Sequence, residues 1–261
     1  MIHVENLRKT FRLSRQQKRE MGRAFTGNEV DAVDGVSFTC REGRIFCLLG
    51  PNGAGKTTTL RILATMLRPS AGTVTVAGHD VVRDAAMVRR KTGFLTNATA
   101  LYDRLTPEEL VRYYADLHGM SPAQYRERRD FFFNTLGINE YAGRRIAKLS
   151  TGMKQKVSIV RTMIHDPEVL ILDEATAGLD VIASRSIIEL VRTARDAGKT
   201  VVFSTHRMDE VSLLADDLAI MHRGRMLYCG SYEAFRGEMK APSLEDEFIR
   251  RIELEDAPRT P

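Results

Sequence analysis

Gly50-Pro51-Asn52-Gly53-Ala54-Gly55-Lys56-Thr57 decides how this chain is read. The eight residues fit G-x-x-x-x-G-K-[ST]. They stand between an apolar run, Arg44–Leu49, and a helical pattern, Thr58–Leu67. Strand, glycine-rich turn and helix in that order let successive N–H groups wrap a phosphate, and the helix start adds partial positive charge. Each position then has a task. The main chain of Asn52, Gly53, Ala54, Gly55 and Thr58 cradles the phosphates, Lys56 reaches the β- and γ-groups, and the Thr57 hydroxyl ligates Mg²⁺. A glycine-rich turn that merely precedes a lysine matches this pattern by chance in roughly one chain in a hundred. The flanking strand and helix weaken that bland reading further, so a nucleotide site is expected.

Further apolar runs surround this stretch. Val169–Leu172 and Thr200–Phe203 are continuously apolar and end at polar residues, as strands buried on both faces do. Leu218–Met221 and Met226–Cys229 flank His222–Arg225 and read as a hairpin near the sheet edge. Short strands alternating with longer helical patterns argue for an α/β chain with a mostly parallel sheet. Thr106-Pro107-Glu108-Glu109 and Ser121-Pro122-Ala123-Gln124 each put a hydroxyl at the N-cap, proline at the first helical position and an acceptor at the third. The stretch from Thr99 to Ser150 is therefore mainly helical, an insertion into the α/β core. Ser14–Asn28 is polar and basic, expected as a mobile loop or short solvated helix. No internal repeat is visible.

Two acidic residues close the run Val169–Glu174. Asp173 is placed to hold Mg²⁺, and Glu174 to polarise an attacking water as general base. Alone, such a pair is more often a helix cap or solvated turn; the upstream phosphate loop favours function. Twenty residues before Asp173 stands Leu149-Ser150-Thr151-Gly152-Met153. Taken alone it reads as a capped helix start, with a helix over roughly Met153–His165 and an end able to face an anion.

Leu149–Met153 resembles the LSGGQ signature of ATP-binding cassette (ABC) proteins, and the family's other elements follow in order. Ala177-Gly178-Leu179-Asp180 matches its D-loop, and His206 in Ser204-Thr205-His206, before Glu210-Val211, matches its switch histidine. Phe11 stands where the family places an aromatic that stacks on adenine. The resemblance covers about Ile2 to Gly237. It implies an ABC cassette of the P-loop NTPase class, with a RecA-like, mostly parallel core, an antiparallel β-subdomain and a helical subdomain at about 98–150. On that reading, residues 1–237 form the ATPase domain and 238–261 a short C-terminal tail. It also implies head-to-tail pairing, two copies or one with a related cassette. Each ATP then lies between one subunit's phosphate loop and the other's Ser150, Gly152 and Asp180. The catalytic set is Lys56, Glu174 and His206. Where the family carries a glutamine before the helical subdomain, the match here is Asn97, one methylene shorter, and Thr151 replaces a signature glycine.

Composition narrows the partners. The 261 residues are 43% hydrophobic and 28% charged, with a formal net charge of +5, so wholesale disorder is not expected. No apolar run approaches the roughly 18 residues of a membrane-spanning helix, and the start lacks a secretory stretch, so a cytoplasmic chain is expected. Cys40, Cys47 and Cys229 form no ligand spacing and read as reduced. Transport then needs a separate transmembrane permease subunit, with this chain peripheral on the inner membrane face. Phe94-Leu95-Thr96, Leu101–Thr106 and Ser243–Phe248 resemble bacterial exporter cassettes, nearest to sodium-extrusion ATP-binding subunits. The alternative is a soluble ABC ATPase in assembly or regulation. A nucleic-acid factor is not expected, since basic runs such as Arg126–Arg129 are most often solvated faces and the chain carries one cassette without a long coiled coil.

Overall fold

The computed structural model describes residues 1–13, 27–96 and 101–257. Asn97 and residues 14–26 of the expected basic loop lie outside them. The elements run β1 (Ile2–Arg12), β2 (Glu29–Cys40), β3 (Ile45–Leu49), α1 (Lys56–Leu63), β4 (Ala71–Val76), β5 (His79–Asp80), α2 (Ala85–Lys91) and β6 (Thr92–Leu95). Then come α3 (Pro107–Leu117), α4 (Pro122–Leu136), α5 (Thr151–Met163), β7 (Val169–Asp173), α6 (Val181–Asp196) and β8 (Thr200–Thr205). The chain ends in α7 (Met208–Leu214), β9 (Asp217–His222), β10 (Arg225–Ser231), α8 (Tyr232–Glu238) and α9 (Leu244–Asp256).

Every residue of β3 is buried, because alternate side chains serve two different cores. Ile45, Cys47 and Leu49 join Leu170, Leu172, Val201 and Phe203 under the helices. Phe46 and Leu48 join Ile171, Val202, Leu60 and the apolar face of β1 and β2. Strand side chains alternate faces, so cover on both sides demands apolar residues at both parities. The six strands lie in the order β10-β9-β3-β8-β7-β6, parallel except for β10. A second sheet, β2-β1-β4-β5, is antiparallel throughout.

Local chemistry sets most element ends. Thr106 and Ser121 both form full capping boxes, with Glu109 and Gln124 returning the bond, and proline follows each cap. Residues 101–150 hold α3, α4 and two short 3₁₀ turns, with no strand. α1 starts at Lys56 and stops at Leu63, shorter than the expected Thr58–Leu67 at its far end. Thr65 takes φ +61°, and the N–H groups of Met66 and Leu67 turn back to the Arg61 carbonyl, a left-handed stop that the apolar pattern hides. The β9–β10 turn is the two residues Arg223-Gly224, both at positive φ. It is thus tighter than the expected four-residue turn and suits the strand twist.

The expected tail is not a simple extension. Ser243 caps α9, Phe248 enters the main core, and the Glu247 side chain is fully buried. Its carboxylate accepts from Arg250 at 2.6 Å, Arg251 at 2.8 Å and the Lys240 N–H at 3.0 Å. At the far end Asp256 pairs with Arg223 at 2.8 Å, tying α9 to the β9–β10 turn.

Candidate nucleotide site

The carboxyl ends of β3, β8 and β7 lie side by side, which gathers three loops at one edge of the sheet. Residues 50–55 leave β3 and lead into α1. A Cβ on Gly50 would stand 2.4 Å from the Met221 carbonyl oxygen, and one on Gly55 2.3 Å from that of Ala32. These two glycines let the loop pass close to β9 and β2. Gly55 also takes φ +101° as it turns the chain into Lys56.

Lys56 is buried and donates to the carbonyls of Gly50 at 2.6 Å and Pro51 at 3.1 Å. Burial lowers its pKa, while Glu174 and Asp173 oppose that shift. The Thr57 hydroxyl donates to Asp173 Oδ2 at 2.8 Å. Ser204 donates to Asp173 Oδ1 at 2.5 Å, from its register partner position on β8. Thr57 and Asp173 thus present hard oxygen donors side by side, a set that fits Mg²⁺.

Glu174 and His206 meet at the next layer, with His206 Nδ1 and Glu174 Oε1 3.0 Å apart. Glu174 takes φ +50°, rare for a residue with a Cβ. Its N–H donates to the Ser204 carbonyl at 3.1 Å. So the candidate base is held by the same strand end that leads into His206.

The structure keeps other expected residues apart from this set. Ser150 caps α5, accepting from the Met153 N–H at 3.3 Å, so the helix begins at Thr151, ahead of the expected Met153, and ends at Met163. Beside it, Gly152 faces Leu179, and Gly178 faces Thr151. Among the described residues no hydrogen bond joins Ser150 or Gly152 to residues 50–57. Asp180 caps α6, accepting from Ala183 at 2.8 Å. Phe11 pairs with Val30 on β2, two residues from the Ala32 that meets Gly55. It is exposed, with Lys9 Nζ 5.0 Å from its ring centre.

Ser204 escaped sequence reasoning, although it is the second grip on Asp173. Its only signal is a hydroxyl ending an apolar run, which the β7–β8 register turns into a contact. Gln155 also escaped; it donates to the Ala175 carbonyl at 2.8 Å, joining α5 to the segment after Glu174. No described helix is long and apolar enough to cross a membrane.

Comparison with known proteins gives the family and the fold. The ABC transporter family model matches residues 33–177. The ABC transporter ATP-binding protein NatA of Bacillus subtilis is 38% identical, over 85% of this chain and 91% of its own. The daunorubicin/doxorubicin resistance ATP-binding protein DrrA of Streptomyces peucetius is 36% identical, over 88% of this chain and 68% of its own. Among solved structures, an ATP-binding subunit of an ABC transporter superposes with a TM-score of 0.84 at 26% identity, covering 97% of this chain and 99% of that one. A chain with this phosphate loop, this acidic strand end and these relatives belongs to the ABC transporter family, as one of its ATP-binding, ATP-hydrolysing cassettes.

Proposed function

We propose that this cassette powers an export transporter: two cassettes clasp ATP and Mg²⁺, hydrolyse the ATP and drive a separate membrane subunit. The observation that supports the pairing is that, among the described residues, the Ser150 start of α5 shares no hydrogen bond with the phosphate-loop residues 50–57. Thr57 at the start of α1 bonds Asp173, which Ser204 also holds. On this reading an ATP seated on Lys56 takes no contact from its own chain's Ser150. Ser150, Gly152 and Asp180 of a second cassette, identical or related, supply that contact.

In this mechanism Lys56 exchanges the Gly50 and Pro51 carbonyls for phosphate oxygens, and the N–H groups of residues 52–58 hold the rest. Phe11 stacks on adenine. Thr57 and Asp173 are the residues that would hold Mg²⁺, whose charge offsets that of the phosphates. Glu174 orients the attacking water and accepts its proton. His206 offers Nε2 to the γ-phosphate, since its Nδ1 faces Glu174. Positioning and charge do most of the work.

A groove of about 470 Å³ supports the membrane partner. Met66, Phe94, Tyr114 and Arg161 line it, with no acidic residue in its wall. Arg161 is 6% exposed and has no carboxylate partner among the described residues. A cytoplasmic helix of the permease fills this groove, which puts the cassette on the inner face of the membrane. In the narrower form of this reading the cargo is sodium ion, which rests on the exporter-type stretches alone; the cargo path lies in the permease.

The test is Glu174→Gln. Turnover should fall at least about a hundredfold with ATP binding retained, and gel filtration in MgATP should show a dimer. Turnover near the wild-type rate, or a monomer in every nucleotide state, rejects the reading.

A further inference from the structure

We propose that Glu210 is a positioning residue for ATP hydrolysis, locking Glu174 and His206 into one fixed relation. It is a buried carboxylate that the mechanism above leaves without a task, 1% exposed on α7. Oε2 accepts the Thr205 hydroxyl at 2.5 Å, and Oε1 accepts the Thr176 hydroxyl. Arg207 stands 3.3 Å from Oε1 and supplies the counter-charge. The Arg207 N–H also donates to the Thr205 hydroxyl oxygen at 3.0 Å, fixing the direction of its proton toward Glu210.

The two hydroxyls come from the two segments that matter. Thr205 ends β8 immediately before His206, and Thr176 lies two residues after Glu174. With the His206–Glu174 contact at 3.0 Å, a closed ring results. It runs from Glu174 along the chain to Thr176, through Glu210 to Thr205, along the chain to His206, and back to Glu174. Glu174 sits in a rare backbone region, and such a conformation persists only where its surroundings over-determine it. The ring supplies that constraint on one side. Gln155 supplies it on the other, by holding the Ala175 carbonyl at 2.8 Å.

A purely structural role explains the site less well. Burying a carboxylate costs desolvation that a leucine or methionine of similar volume avoids. What only a carboxylate offers is two acceptor oxygens that reach two loops at once. Both carboxylate oxygens of Glu210 are taken by Thr176 and Thr205, so it acts through the segments that carry Glu174 and His206.

The proposal rests on Glu174 as the base, and the test separates the two. The whole chain is purified as Thr176→Val, Thr205→Val and Glu210→Gln, with Thr176→Ser as the conservative rescue. Each of the first three should lower kcat about tenfold, the scale of a modest misplacement of reacting groups. Affinity for ATP in EDTA, by calorimetry, should stay within about twofold of wild type. Thr176→Ser keeps the hydroxyl and should return kcat to within about twofold of wild type. The Thr176→Val, Thr205→Val double variant should lose little more than either single, because both open the same ring. Wild-type kcat in the folded valine variants or in Glu210→Gln overturns the proposal. So does a rate loss that serine does not restore, or one matched by an equal loss of ATP affinity. Glu174→Gln is assayed alongside: normal turnover there removes the base itself, whereas lost turnover there with wild-type rates in the threonine variants removes only the ring.

Discussion

Two glycines of the phosphate loop allow backbone strain to be measured apart from steric exclusion. Gly53 takes φ +81° and Gly55 φ +101°. Alanine at either must adopt a left-handed conformation, at about 1–2 kcal/mol. The surroundings then differ. A Cβ at Gly53 meets no heavy atom within 4 Å, whereas one at Gly55 lies 2.3 Å from Ala32 O and 3.2 Å from Met221 Cε. Ala32 O is strand backbone, so β2 or the start of α1 must shift, which adds about 1–3 kcal/mol. Without nucleotide, Gly53→Ala should therefore cost about 1–2 kcal/mol and Gly55→Ala about 2–5 kcal/mol. In a chain of this size 1 kcal/mol moves Tm by about 2–4 °C, so Gly55→Ala should melt about 6 °C below Gly53→Ala. Calorimetric melting of the nucleotide-free protein, with urea unfolding as a second measure, reads the difference directly. Equal melting temperatures, or a lower one for Gly53→Ala, would show that the close approach of β2 does not constrain this loop.

Two further outcomes concern charge. Burial, and then neighbouring His118, brings the His165 imidazole down to about 4 from its ordinary 6.5, and the two rings stack 3.7 Å apart. Its folded pKa lies below its unfolded one, so the unfolded chain binds the extra proton in that window. Stability should be full above pH 6.5 and fall by roughly 3 kcal/mol as pH drops to about 4. His165→Phe should flatten this part of the profile in urea unfolding, and an unchanged slope rejects the assignment. At Glu247 the Arg250 guanidinium, ahead of Arg251 and the Lys240 N–H, holds the carboxyl far below the usual range. The stability it contributes is present above about pH 4.5 and is lost as pH falls further. Glu247→Gln should cost about 1.5–3 kcal/mol through weakened charged hydrogen bonds and speed proteolytic release of α9. Wild-type resistance to limited proteolysis counts against that anchor.

Much of the fold follows from interactions that span few residues. The Thr106 and Ser121 caps act within one helical turn, so their starts are legible as letters. The apolar runs at β3, β7 and β8 are legible because burial on two faces removes alternation. Helix ends are less so. α1 stops at Leu63 through the left-handed Thr65, a conformation that no neighbouring residue type announces. The tail was harder still. Of Glu245, Asp246 and Glu247, only packing against Arg250, Arg251 and the Lys240 N–H makes the third a buried anchor.

The candidate site divides in the same way. Sequence alone determined the phosphate loop, the acidic strand end and the residue types that a triphosphate and a divalent cation call for. Those depend on donors and acceptors at fixed short spacings. Tertiary structure decided what grips them: Ser204 on Asp173, 31 positions away, and Glu210 bridging Thr176 and Thr205. Such contacts arise from which strands lie adjacent and in what register. Only the long-range balance of buried surface sets that register, and no local string of residues encodes it.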